Sequence, residues 1–231
     1  MTDGGPSRAI VAILATVALV TILRGPAAAA PTADTPPATL VSGDPAKGAA
    51  ADPIFKLAKL ERFSCKFTEE KRVALLARPL KSSGTIYFDR DKGIARTTQT
   101  PKLQHVILTK TTLRIRTETK TEEIPLDKSK DLKAFALIFP TLLRGDRTEL
   151  ERTFDIGLYG SDKDWWALTF TPKTDSLKKL IKRVVVFGRK AEVFSLQIAE
   201  ANGDTTDTKL TDVLKNADVL DAEIAKAFGA P

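Results

Sequence analysis

Thr85-Ile-Tyr-Phe-Asp-Arg-Asp-Lys-Gly-Ile-Ala-Arg-Thr-Thr-Gln-Thr100 is the stretch that decides the fold. Ile86, Phe88 and Arg90 fall on one face of a two-residue repeat, with Tyr87 and Asp89 on the other. Asp91-Lys92-Gly93 supplies turn chemistry, and Ile94–Thr100 returns as a second strand until Pro101 ends it. The rhythm extends both ways. Upstream, Phe63, Cys65 and Phe67 share a face opposite Lys66 and Thr68, and Pro79, Ser82, Ser83 and Gly84 punctuate the chain before Thr85. Downstream, Gln104–Thr109 and Thr112–Thr119 are rich in β-branched residues. Phe154, Ile156 and Leu158 alternate with Asp155 and Gly157, and a Gly160-Ser161-Asp162 turn leads to Trp166, Leu168 and Phe170 on one face. Val184–Phe187 turns at Gly188-Arg189-Lys190 into a strand whose Phe194, Leu196 and Ile198 face together, and Asn202-Gly203 is the strongest hairpin signal in the chain. Short strands joined by tight turns predict an antiparallel meander, open or partly closed.

Two segments follow a helical period instead. Asp52-Pro53 suits an N-cap followed by proline in the first turn, with Ile54, Leu57, Ala58 and Leu60 on one side and Lys56, Lys59 and Arg62 on the other. Ser129 is placed to cap a second helix carrying Leu132, Phe135, Ala136, Phe139, Leu142 and Leu143, which Pro140 should kink or end. Leu137 and Ile138 add apolar bulk off that stripe. A helix apolar nearly all round needs apolar surroundings on more than one side. It is either simply buried, or a lid with one side on the sheet and the other on a ligand.

The N-terminus reads as an export signal. Arg8 precedes a charge-free run from Ala9 to Leu23, shorter than the roughly 20 residues that span a bilayer, and Ala27 to Ala30 offer a small-residue cleavage site. The expected organisation is a signal peptide over 1–30, a flexible Ala/Pro/Thr/Gly-rich linker over 31–50 and one domain over 51–231. An uncleaved anchor is the alternative reading of the first segment.

Composition narrows the chemistry. Of 231 residues 42% are hydrophobic and 28% charged, enough for one packed core. The net charge of +7 comes from 36 Lys and Arg scattered among 29 Asp and Glu, without the basic–aromatic interleaving of a base-stacking surface, so nucleic acid is not expected. With one Cys (Cys65) and one His (His105), no intramolecular disulfide and no Cys/His metal cluster can form, and no cofactor is expected. There is no G-x-S-x-G, and the pairs Glu69-Glu70 and Glu122-Glu123 sit on strands where neighbours point oppositely, which argues against a hydrolase. Lys178, Lys179, Lys182 and Arg183 form the densest basic cluster, either a docking patch for an anionic membrane or an acidic transporter face, or a lysine-guarded strand edge.

The order of these pieces resembles the outer-membrane lipoprotein carriers, the LolA-like family. Phe63-Ser-Cys-Lys-Phe-Thr-Glu69 is similar to its F-x-x-x-F-T-[QE], and Gly84-Thr-Ile-Tyr-Phe-Asp-Arg90 to its strand ending in a basic residue. Thr98-Gln-Thr-Pro101 matches its proline turn, Phe139-Pro-Thr-Leu-Leu-Arg-Gly-Asp146 its helix-then-Gly-Asp element, and Trp166-Ala-Leu-Thr-Phe-Thr-Pro172 its W-x-L-x-x-x-P strand. The resemblance implies a mainly β fold with α, an unclosed antiparallel β half-barrel covered by a helical lid. It further implies a periplasmic monomer that binds lipoprotein acyl chains or other lipids between sheet and lid. Such a protein ferries them from an inner-membrane transporter to an outer-membrane acceptor. A non-transporting lipid-binding adaptor or envelope sensor is the alternative.

Carried over, Ile86 and Phe88 line the concave face, Ile94 replaces a lining Phe, and Phe135, Leu137, Ile138 and Phe139 belong to the lid. Arg90 takes the place of an arginine that latches lid backbone, against the plainer reading of a solvent-facing strand-end arginine. Arg90-Asp91 stands where the family has Arg-Pro, Arg96 where it has an aromatic, and Lys110-Thr-Thr-Leu-Arg-Ile-Arg116 where it has an aspartyl-glycine turn and aromatic strand.

Overall fold

Among the described residues eleven strands pair in one antiparallel sheet, because nearly every apolar repeat of period two is followed by a turn short enough to bring the chain back beside itself. The computed structural model describes residues 36, 40, 41, 55, 60–128, 130–160, 164–190, 192–219 and 221–229. The expected leader, most of the expected linker and of the expected Asp52 helix, the Ser129 cap and the Ser161-Asp162 turn lie outside these residues. Phe55 of that helix is helical and buried.

From β1 (Arg62–Arg72) hairpins run through β2 (Leu80–Asp89), β3 (Gly93–Thr100), β4 (Gln104–Leu108), β5 (Thr112–Thr117) and β6 (Thr121–Pro125). A second series, β7 (Phe154–Gly160), β8 (Trp165–Pro172), β9 (Ile181–Arg189), β10 (Glu192–Glu200) and β11 (Thr205–Lys215), ends on β1. The strand order is β6-β5-β4-β3-β2-β1-β11-β10-β9-β8-β7. The outermost strands β6 and β7 do not pair with each other, so the sheet is an unclosed half-barrel.

The deciding hairpin forms as its residues dictate. Asp89 Oδ1 accepts from the Asp91 and Lys92 N–H groups, and Gly93 takes φ +114°, a conformation open to glycine. Gly84 meets Thr97 so closely that a Cβ would lie 1.9 Å from its carbonyl oxygen. Phe63, Cys65, Phe67 and Phe88 are buried together on the concave face. Burial pushes the Cys65 thiol up to about 12, slightly offset by a hydrogen bond with the Ile86 backbone.

Among the described residues there are five α-helices: α1 (Lys130–Ala136), α2 (Ile138–Leu143), α3 (Arg147–Glu151), α4 (Asp175–Lys178) and α5 (Asp221–Gly229). The chain leaves one edge strand, β6, passes through α1, α2 and α3, and reaches the opposite edge at β7. The lid is therefore the connection between the two edges of the half-barrel. α5 packs on the other face of the sheet, where Ala227 and Phe228 meet Ala95, Ile107 and Tyr87.

Two expectations are corrected. The helix breaks at Leu137 rather than at Pro140: proline has no N–H for the Ala136 carbonyl, so the chain restarts and places Pro140 in the first turn of α2. The basic cluster guards no sheet edge, because β9 lies between β8 and β10 with Arg183 opposite Ala199. Lys178, Lys179, Lys182 and Arg183 are exposed, at and beyond the end of α4.

Candidate functional site

The lid meets all three concave-face clusters. Leu132 and Ala136 pack with Val106, Leu108, Leu113 and Ile115 of one arm of the sheet. Phe135, Ile138 and Leu142 pack with Phe154, Leu168, Phe170 and Val184 of the other. Leu143 sits in the middle among Phe63, Phe67 and Phe88. Its carbonyl accepts from the Leu60 N–H at 3.0 Å, so backbone ties the end of the lid to the chain just before β1. At the other end, Thr174 Oγ1 donates to Asp131 Oδ1 at 3.2 Å.

Under this cover lies a hollow of about 130 Å³. Ile94, Val106 and Leu108 reach it from β3 and β4, Val184, Leu196 and Ile198 from β9 and β10, and Phe135, Ala136, Ile138 and Phe139 from the lid. Side chains from both arms can meet around one space only because the sheet curves. An apolar cavity of about 150 Å³ stays dry and admits a benzene ring. A space of this size has room for only a fragment of an acyl chain.

Of the residues singled out in the sequence, Ile94, Phe135, Ile138 and Phe139 converge on the hollow. Ile86 and Phe88 lie on the same concave face but outside it, in the cluster that Leu143 fills, with Phe88 wholly buried. Leu137, at the break between α1 and α2, is half-buried and not part of the lining. Arg90 stands at the strand end, its Nε 2.9 Å from Glu61 Oε1 and its N–H donating to the Glu61 carbonyl. The structure thus pairs Arg90 with Glu61, while the N–H that holds lid backbone is that of Leu60, at the Leu143 carbonyl. Burial chiefly lowers the Arg144 pKa at the lid's end, Asp146 pulls it back up, and the nearby Arg90 charge pushes it down. Like charges meet there.

Sequence reasoning passed over Arg96 as a lining residue. It is the charged residue around the hollow, and its alternation with Ile94 on one face was the available signal. Its guanidinium lies 4.1 Å from the centroid of the Phe67 ring, a cation–π arrangement. Nη2 donates to Glu69 Oε1 at 2.9 Å and approaches Ser82 Oγ at 3.5 Å. Glu69, almost fully buried, also accepts from Ser82 Oγ at 3.2 Å and from Thr208 Oγ1 at 3.0 Å. Glu70 points away and pairs instead with Arg72 and Lys81. One residue pair further along the concave face, Lys71 Nζ meets Glu200 Oε1 at 2.7 Å, both buried. The concave face therefore divides into an apolar chamber under the lid and a buried polar wall. Val184, Leu196 and Ile198 were also missed, because their approach depends on the non-local pairing of β11 with β1.

Among curated proteins none matches the sequence. Several solved structures are similar to this chain at low identity. A LolA-superfamily protein from Nitrosomonas europaea is 11% identical, with 76% of this chain and 97% of that one covered and a TM-score of 0.41. MucB of Pseudomonas aeruginosa, seen in complex with MucA, is 12% identical over 74% of this chain and 57% of that one, TM-score 0.43. LprF from Mycobacterium bovis is 12% identical over 77% and 97%, TM-score 0.33. Residues 43–229 match the family described as outer membrane lipoprotein carrier protein LolA-like. The half-barrel, its lid and that match over most of the sequence agree: this chain belongs to the LolA-like family.

Proposed function

We propose that this chain is a periplasmic carrier that takes the acyl chains of lipoproteins or other lipids between sheet and lid and moves them from the inner to the outer membrane. The observation that carries the reading is the apolar hollow enclosed by both arms of the sheet and by Phe135, Ile138 and Phe139 of the lid. Each methylene transferred from water into such surroundings contributes about 0.8 kcal/mol, so a few acyl chains supply ample affinity. Release needs a competitor. The lid's own packing against all three clusters is that competitor, since its contacts are lost as lipid enters and regained as lipid leaves. The family is described as one of carrier proteins, which supports binding as the role of this site.

The test is native mass spectrometry of protein purified from its own envelope, followed by transfer of the bound species between liposomes. An acylated ligand that exchanges into acceptor vesicles is expected. A protein that admits no lipid overturns the proposal. A ligand held without exchange turns it into the adaptor reading, in which the same half-barrel senses lipid and does not ferry it.

A further inference from the structure

We infer that Arg96 reads the polar end of the cargo: its Nε–H donates to an uncharged ester carbonyl where an acyl chain leaves the apolar chamber. The inference rests on the carrier reading and names the ligand class it serves. Three observations carry it. Arg96 lines the hollow beside Ile94 and Val106. Its Nε is buried and, among the described residues, has no hydrogen-bond acceptor, although its Nη2 is engaged with Glu69 and Ser82. Thr206, two residues from Thr208 on the same face of β11, likewise has a buried hydroxyl without a partner. Buried donors are nearly always satisfied, so an unpartnered N–H on a residue that lines a cavity is a donor that a ligand acceptor could satisfy.

The charge state of the pair selects the acceptor. Glu69 lies 2.9 Å from Arg96 and is itself held by Ser82 and Thr208, so the site carries no net positive charge to offer. A carboxylate or phosphate approaching Nε would also approach the Glu69 carboxylate. A neutral carbonyl accepts from the same N–H without that repulsion, and a charged donor makes this one of the stronger hydrogen bonds. Each acyl chain of a glycerolipid or acylated lipoprotein begins with such a carbonyl. A pair serving only to hold strands together gains little over apolar packing of the same volume.

A competition between two lipids that differ only in their two ester carbonyls tests the inference. Equimolar dipalmitoylglycerol and its dihexadecyl ether analogue are delivered from cyclodextrin to the purified chain and counted by native mass spectrometry. The diester is expected to be in excess by about tenfold, the scale of one good hydrogen bond. In Arg96→Met/Glu69→Gln, which removes both charges together, the ratio should fall to about one. Equal occupancy by ester and ether in the unaltered protein overturns the inference and leaves the carrier reading standing. A ratio unchanged in the double variant does the same. If that variant fails to melt cooperatively, the ratio in the unaltered protein decides alone. Palmitate anion displacing the diester overturns the preference for a neutral acceptor. Entry of neither lipid overturns the carrier reading, and this inference with it.

Discussion

Two helical layers cover the two faces of the sheet, and they cover it differently. On the convex face α5 is one unbroken helix that presents a single stripe, Ile224, Ala227 and Phe228, two of which lie flush on Ala95 and Ile107. On the concave face the cover is broken at Leu137, apolar on more than one side, and leaves space beneath it. A one-sided stripe on a flush surface is a structural cap. A broken helix over a hollow is a cover that something can lie under.

Substituting equivalent phenylalanines should break this comparison most sharply. Phe139→Glu sets a carboxylate against the hollow, and lipid capture is expected to fall by more than about tenfold in a liposome extraction assay. Phe228→Glu on α5 should lower the unfolding free energy by about 1–3 kcal/mol by urea titration while capture is retained. Comparable capture in both variants would erase the distinction between the two layers. Arg90→Leu should do less. Its ion pair is with Glu61, whose side chain is 70% exposed, and such pairs contribute at most about 1 kcal/mol. Lipid transfer should change by less than about fivefold. Trapped cargo in that variant would restore Arg90 as the lid's latch and demote the Leu60 N–H.

The smallest effect belongs to a residue outside both covers. Burial, with the Arg116 charge second, holds His105 below the ordinary imidazole value of 6.5. The folded chain then binds fewer protons than the unfolded one at mildly acidic pH. The stability His105 contributes is complete above 6.5 and is lost as pH falls toward the lower folded value. His105→Gln should flatten that part of the stability profile between about pH 7 and pH 5, read as the difference in urea midpoints. Parallel profiles would show that His105 does not titrate across unfolding.

The local half of this architecture was legible. Alternation at Phe63–Phe67 and Thr85–Arg90, and turns at Asp91-Lys92-Gly93 and Asn202-Gly203, are short-range signals that hairpins obey directly. The lid was legible as a helical segment but not as two helices, because the break depends on where Pro140 falls within a turn. α5 escaped notice although Ile224, Ala227 and Phe228 have helical spacing. The chamber was half legible: Ile94 and the lid aromatics belong to readable repeats, whereas Val184, Leu196 and Ile198 reach it through a seam no local pattern encodes. Arg96 was seen as a departure from an aromatic position. Its role follows only once Glu69, on the central strand, is known to face it.

That seam sets a schedule for assembly. β1 lies at the centre of the sheet, and its neighbour on one side, β11, is the last strand to be synthesised. The bonds that bridge early and late sequence, Thr208 to Glu69 and Lys71 to Glu200, all span more than a hundred residues. Closing so long a loop is slow compared with forming adjacent hairpins. A chain emerging N-terminus first can build β1–β6 at once, yet its first strand keeps one open edge until residue 215 arrives. Until then that edge is open to mispairing, which makes the late arrival of β11 the step on which correct assembly turns.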